Sequence, residues 1–257
     1  MTPRVPPFLF PLTLHTDVVA FSTQRAGGVS RGEYSSFNVC HYNGDDPHHV
    51  ATNRAALAQY LQIPAGHILL PRQTHSTTVR IVTGGETAEQ LDGVDAVVTS
   101  TAGLCIGVST ADCIPLLLYD ARQHIAAAVH AGWRGTLGRI VAHTIETMQT
   151  HFGTQPADLY AAIGPGISGE AYDVGEELPQ QFAEAGFPIE DIAYKTNKRW
   201  HLDLPKANRL ELLRLGLAAD KVSDCNICTY QHNDRFFSAR RQGIHSGRIY
   251  TAICRRP

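Results

Sequence analysis

A cysteine preceded by an acidic residue, in Ala111-Asp112-Cys113-Ile114-Pro115, stands 17 residues before a histidine near the end of the next apolar run, Val129-His130-Ala131-Gly132-Trp133-Arg134-Gly135. His75, in Arg72-Gln73-Thr74-His75-Ser76, is the third candidate. Two imidazoles and one thiolate make a zinc donor set with one position left open, the composition of a catalytic rather than a closed site. The same residues support two other readings. Cys113 and His130 can form a nucleophile pair, the thiolate stabilised by imidazolium, in a hydrolase or acyl transferase. All three can also be core residues, because buried cysteine and satisfied histidine are common. Asp112 tilts the balance toward function, since a carboxylate beside a ligand can orient an imidazole. Adjacent strand residues point to opposite faces, however, so that role requires a bulge or a strand end at 112.

Other residues could serve such a site. Arg25 and Arg134 lie in glycine-flanked loops, where a guanidinium can grip a phosphate through two parallel N–H groups. Gly27-Gly28 permits unusual backbone angles that would bring main-chain donors close to a ligand. Arg240 and Arg241 read as neighbours on a strand, so only one of them would face a pocket. Cys225-Asn226-Ile227-Cys228 is a lone CxxC, and nearby His232 would add only a third ligand, so the pair is expected to be structural.

The elements that must position these groups follow from periodicity. Asp46-Pro47 opens a helix carrying Val50, Asn53, Arg54, Leu57 and Leu61 on one face. Strands are expected at 18–23, 68–70, 77–82, 96–99, 104–108, 114–119 and 125–129. The last three are nearly continuous apolar runs, as suits strands covered on both faces. The link Asp120-Ala121-Arg122-Gln123 is too short for a parallel crossover, so a mixed sheet is expected. Leu137, Ile140, Val141, Thr144, Ile145, Met148 and Phe152 form one helical stripe. A strand at 161–163 runs into the Gly164-Pro165-Gly166 loop, which either lines a pocket or only turns the chain. Two further helices are expected, at about 176–185 and 205–215, and the C-terminal region reads as strands. No repeat or linker divides the chain, so a single domain over residues 1–257 is expected.

Composition narrows the partners. With 43% apolar and 18% charged residues the chain is globular, and a net charge of −2 gives no drive toward nucleic acid or an anionic membrane. Three prolines interrupt the N-terminal apolar residues, so no signal-peptide core or spanning helix is expected there, and the six dispersed cysteines suit reduced thiols. The protein reads as cytoplasmic, with no obligate protein partner evident.

Together, Arg25-x-Gly27-Gly28-x-Ser30, Asn53-Arg54, Gln73-x-His75, Thr110-Ala111-Asp112-Cys113-x-Pro115, His130-Ala131-Gly132-Trp133-Arg134-Gly135, Ile163-Gly164-Pro165-x-Ile167, Leu202-Asp203-Leu204, Cys228-Thr229-Tyr230, Phe236-Phe237-Ser238-x-Arg240-Arg241 and Gly247-Arg248 resemble the laccase-domain purine nucleoside phosphorylase family, formerly described as polyphenol oxidases. The resemblance spans about residues 16–254. It implies an α/β fold, a mixed β-sheet sandwich flanked by helices and related to Cys-His hydrolase-like toxin domains. It also implies His75, Cys113 and His130 as zinc ligands, and purine nucleoside and phosphate as substrates. The implied reactions are phosphorolysis of adenosine, inosine, guanosine and methylthioadenosine, with deamination of adenosine. Two positions depart from the family pattern: Gln231 stands where many members carry Cys, and Ala239 where Tyr is common before the arginine pair. Thirteen histidines are present but no His-x-His pair, which disfavours copper oxidation. The competing expectations are a Cys113-dependent hydrolase, for example one editing cell-wall precursors with incidental metal, and a binding protein without turnover.

Overall fold

Two sheets stacked face to face form the centre of the fold, in a computed structural model that describes residues 5–256. The six-stranded sheet runs in the order Val222–Asp224, Leu159–Ile163, Ile114–Asp120, Ile125–Ala131, Ala96–Thr99, Val79–Ile81. Its centre is the antiparallel hairpin of 114–120 with 125–131, and the strand pair at each edge is parallel, so the sheet is mixed. The five-stranded sheet runs Leu9–Pro11, Val18–Thr23, Ile249–Arg255, Cys105–Thr110, Ile68–Leu69. A small third sheet combines Asp173–Val174, Arg199–Leu202 and Ala193–Thr196.

Alternation along the central hairpin explains its apolar runs. Leu116, Leu118, Ala127 and Val129 face the helices Ile140–Phe152 and Leu204–Arg214, meeting Ile145, Met148 and Leu212. Leu117, Tyr119, Ala126 and Ala128 face the five-stranded sheet, meeting Ile106, Val108 and Ile253. Both faces are dry, so neither alternates with polar residues. On the outer face of the five-stranded sheet, the helix Pro47–Leu61 packs Leu57 into a cluster with Phe37, Ile68 and Tyr250. Asp46 caps this helix by accepting from the His48 N–H, as its sequence implies.

Two expectations are corrected. The helical stripe from Leu137 to Phe152 is interrupted: one helix covers Trp133–Leu137 and a second Ile140–Phe152. Arg139 takes a left-handed φ of 60° between them. Its guanidinium bonds Glu211 and the Ala185 carbonyl and lies 3.7 Å from the Phe187 ring centroid, contacts that anchor the break. Residues 239–242 form a helical turn rather than a strand, because the Ser238 hydroxyl accepts from the Arg241 N–H and caps it. No helix among the described residues is long and apolar enough to cross a membrane.

Candidate metal centre

The central hairpin explains the spacing of the first two residues. Cys113 immediately precedes strand 114–120, and His130 is the penultimate residue of strand 125–131, paired with Pro115. An antiparallel pair necessarily brings the start of one strand beside the end of the next. Gly132 completes the approach: a Cβ there would lie 3.0 Å from both Cys113 Sγ and His75 Cδ2.

His75 arrives from a loop, with a left-handed φ of 62°. One fully buried carboxylate, Asp95, holds it. Asp95 Oδ1 accepts from His75 N at 3.0 Å and from His130 Nδ1 at 2.7 Å. Asp95 Oδ2 accepts from Thr74 N, Ser76 N and Ser76 Oγ at 3.1, 2.9 and 2.8 Å. Burial alone would raise the Asp95 pKa, but the His130 hydrogen bond and charge, with these N–H donors, bring it below the usual carboxylate range. With Nδ1 donating to Asp95, Nε2 is the His130 nitrogen turned to Cys113.

The ligand atoms of His75, Cys113 and His130 lie within 4.8 Å of one another, and Cys113 Sγ is 3.7 Å from His75 Nε2. Burial opposes ionisation of Cys113, yet the charge and hydrogen bonding of His130 and His75 bring the thiol down to about 6. Burial opposes protonation of His130, yet Cys113 and Asp95 raise it to about 9. The thiolate is therefore the resting form of Cys113 at neutral pH, the form a metal ion or an electrophile needs. Among the described residues this is the one cluster of three such ligands, a set for a single ion rather than several.

Asp112 does not serve as the orienting carboxylate. It sits at a strand end with a φ of 91°, but its Oδ1 accepts from Thr229 Oγ1 at 2.7 Å and its Oδ2 from Arg240 N at 2.6 Å. It ties the 229–240 segment to the hairpin, while Asp95 orients His130. Arg25 is also engaged elsewhere. Its Nε donates to the Ser35 carbonyl and its Nη1 to the Asn233 carbonyl, over the Phe237 ring. Gly28 serves chain crossing, since a Cβ there would lie 2.2 Å from the Ser36 carbonyl oxygen. Arg134 is exposed and stacks 4.2 Å from the Trp133 ring centroid. Arg240 bonds Asp173 and covers Tyr172, while Arg241 lies over Tyr230, so the pair diverges by helical rather than strand geometry.

Tyr172 and Asp95 are the neighbours that the sequence reading overlooked. Burial first, and then the negative charge of Cys113, push the Tyr172 phenol up to about 12; Arg240 and Arg134 oppose this. Tyr172 is thus a neutral donor near the thiolate. Cys228 accepts from the Ser168 N–H and Cys225 is pushed up to about 12, chiefly by burial, as suits structural thiols.

The family described as multi-copper polyphenol oxidoreductase laccase matches residues 19–256. The chain is 41% identical over 252 residues to a Bacteroides thetaiotaomicron protein named purine nucleoside phosphorylase, covering 94% of this chain and 93% of that one. It is 40% identical over 248 residues to a protein named adenosine deaminase RL5 from an unknown prokaryotic organism, covering 93% and 94%. The solved structure of Bacillus licheniformis hypothetical protein YfiH superposes with a TM-score of 0.91 at 27% identity, covering 97% of each chain. The chain therefore belongs to this laccase-domain family, whose curated members include proteins named purine nucleoside phosphorylase.

Proposed function

We propose that this member of the laccase-domain family is a zinc-dependent purine nucleoside phosphorylase acting on adenosine, inosine, guanosine and methylthioadenosine, with adenosine deaminase activity. In this reading one domain spans residues 1–257 and shares its fold ancestry with Cys-His hydrolase-like toxin domains. The observation that carries the proposal is the convergence of His75, Cys113 and His130 in a chain whose relatives bear those enzyme names. The donor set fits zinc: two imidazoles and a thiol already biased toward thiolate, with Asp95 fixing the tautomer of His130. When bound, zinc supplies Lewis acidity able to bring the pKa of a water to about 7, the chemistry that deamination requires.

Phosphorolysis requires phosphate held against ribose C1′ as positive charge develops on the sugar. Arg134 is the better of the two arginine candidates for holding it, because its guanidinium is exposed beside Gly132 and Trp133, whereas two Arg25 donors are spent on carbonyls. Tyr172 stays protonated and can donate to substrate, and its neighbour Arg240 adds positive charge at that edge.

The lowered Cys113 thiol favours one competing reading, a Cys113-dependent hydrolase in which metal is incidental. Metal analysis followed by a purine assay with and without phosphate separates the two. The expected result is about one zinc per chain and phosphate-dependent release of free base that Cys113→Ala abolishes. Failure to release base from any purine nucleoside sinks the phosphorylase; full activity in zinc-stripped protein, lost on thiol alkylation, selects the hydrolase.

A further inference from the structure

Behind the Gly164–Gly169 loop lies a second concavity of about 670 Å³, and none of His75, Cys113 and His130 lines it. Its size is that of a small-molecule site. The loop separates the two places: Ile167 N donates to the Asp112 carbonyl at 2.8 Å on the hairpin side, while Gly164, Gly166 and Gly169 line the cavity.

The cavity wall combines three kinds of group. Lys206 and Arg209 stand three residues apart on the helix Leu204–Arg214 and so share a face. Arg209 Nη1 donates to the Val222 carbonyl at 2.8 Å, which fixes the guanidinium while leaving its other N–H groups. Among the described residues, the Lys206 ammonium is held only by a 3.5 Å contact to exposed Asp191. Opposite in sign are Asp203, Asp224 and Glu170, the last accepting from Gln231 Nε2 at 3.4 Å toward the rim. Asp203 Oδ1 accepts from Lys206 N and Asp224 Oδ1 from Asn226 N, and among the described residues nothing donates to the second oxygen of either. Burial holds the Asp224 carboxyl above its usual range. The Ser168 hydroxyl is buried without a hydrogen-bond partner among the described residues. At the rim, Tyr194 stacks one face on His201, with centroids 5.2 Å apart and planes 7° apart, and remains 40% exposed.

Inorganic phosphate alone would meet repelling carboxylates here, and a plain nucleoside would leave the cation pair unused. A ligand that separates an anionic group from neighbouring hydroxyls and a flat ring matches all three features. We propose that this cavity binds a nucleoside monophosphate: phosphate on Lys206 and Arg209, ribose hydroxyls on Asp203 and Asp224, and base against Tyr194. The assignment is independent of the chemistry at the trio, since binding here requires no turnover there.

Calorimetric titration of adenosine 5′-monophosphate into the full chain tests it. One equivalent is expected to bind, with Cys113→Ala and Arg134→Ala each leaving the affinity within twofold. Adenosine, added to the Cys113→Ala chain already loaded with labelled monophosphate so that only this cavity is read, is expected to displace it at least tenfold less readily than unlabelled monophosphate does. Lys206→Ala and Tyr194→Ala, both at exposed positions, are each expected to weaken the monophosphate at least fivefold, with thermal unfolding of each variant checking that the fold is kept. The proposal is overturned if adenosine displaces the monophosphate as readily as the monophosphate itself does, if Lys206→Ala and Tyr194→Ala leave it unchanged, or if Cys113→Ala or Arg134→Ala abolishes it. A chain that releases no base from nucleosides but passes these titrations keeps the second site and loses only the phosphorylase reading.

Discussion

Cys113 and His130 on one side, and His75 on the other, reach the same point by different means. The first two are placed by the register of a hairpin buried on both faces, so moving either requires moving the core. His75 sits in an exposed loop with a left-handed backbone, and what fixes that loop is one carboxylate taking three successive N–H groups. Because Asp95 also holds the His130 ring, it is the joint between the two halves. A rigid sheet thus supplies two side chains of the trio, and a buried acid brings the third to them.

Replacing Asp95 breaks this arrangement most severely. Asp95→Ala leaves three backbone donors and the His130 ring without their acceptor, and a loss of about 3–5 kcal/mol is expected from removing one partner of a buried charged network. Chemical denaturation of metal-free protein measures it. Asp95→Asn keeps the shape and one acceptor oxygen, and is expected to weaken zinc binding by about 10–100-fold, as loss of a partner to a ligand histidine does. Competition against a chelator reads this out, and an unchanged zinc affinity would show that the loop is held by other contacts.

The same contrast decides what the sequence revealed. Cys113 and His130 were legible because two apolar runs joined by a short link can only form a hairpin, and a hairpin brings its open ends together. His75 was legible by residue type and resemblance, but its support was not. Asp95 lies 20 residues from His75 and 35 from His130, inside an otherwise apolar run where an acid gives no hint of its partners. Asp112 drew attention by adjacency alone, and one left-handed residue turned its carboxylate toward Thr229 instead. The break at Arg139 stayed hidden because the apolar stripe continues across it, and the helical turn at 239–242 because residues on either side of it alternate like a strand.

Destabilising the sheet side while sparing the loop sharpens the contrast at a smaller magnitude. Glu211, buried on the helix Leu204–Arg214, accepts from Arg139 at the helix break and from Arg214. Burial would raise its pKa, but the two guanidinium groups hold it below the usual range. A depressed carboxyl stabilises the fold above the unfolded value, about 4.3, and loses that contribution as pH falls through the lower folded value. Glu211→Gln is therefore expected to cost about 1.5–3 kcal/mol at pH 7, with the gap to wild type closing as denaturation is repeated below about pH 4. Zinc affinity is expected to stay within twofold. A gap that persists unchanged into acid would remove the ion pairs as its source.

Gly132→Ala probes the contact where the two halves meet. The backbone at Gly132, with φ −69° and ψ 175°, suits any residue, so the fold has no reason to resist the change. The added methyl, however, would press on Cys113 Sγ and His75 Cδ2, both at 3.0 Å. Cys113 is anchored by the hairpin and cannot retreat without disturbing strand 114–120, whereas the exposed His75 side chain can swing away. The expected result is a zinc affinity lowered about tenfold, roughly 1.4 kcal/mol, with a melting temperature of the metal-free protein within about 2 °C of wild type, since no buried contact is lost. Chelator competition and thermal unfolding measure the two quantities separately. Equal losses in both would mean that the sheet, not the loop, yields, and that the two halves of the site are not held as differently as their backbones suggest.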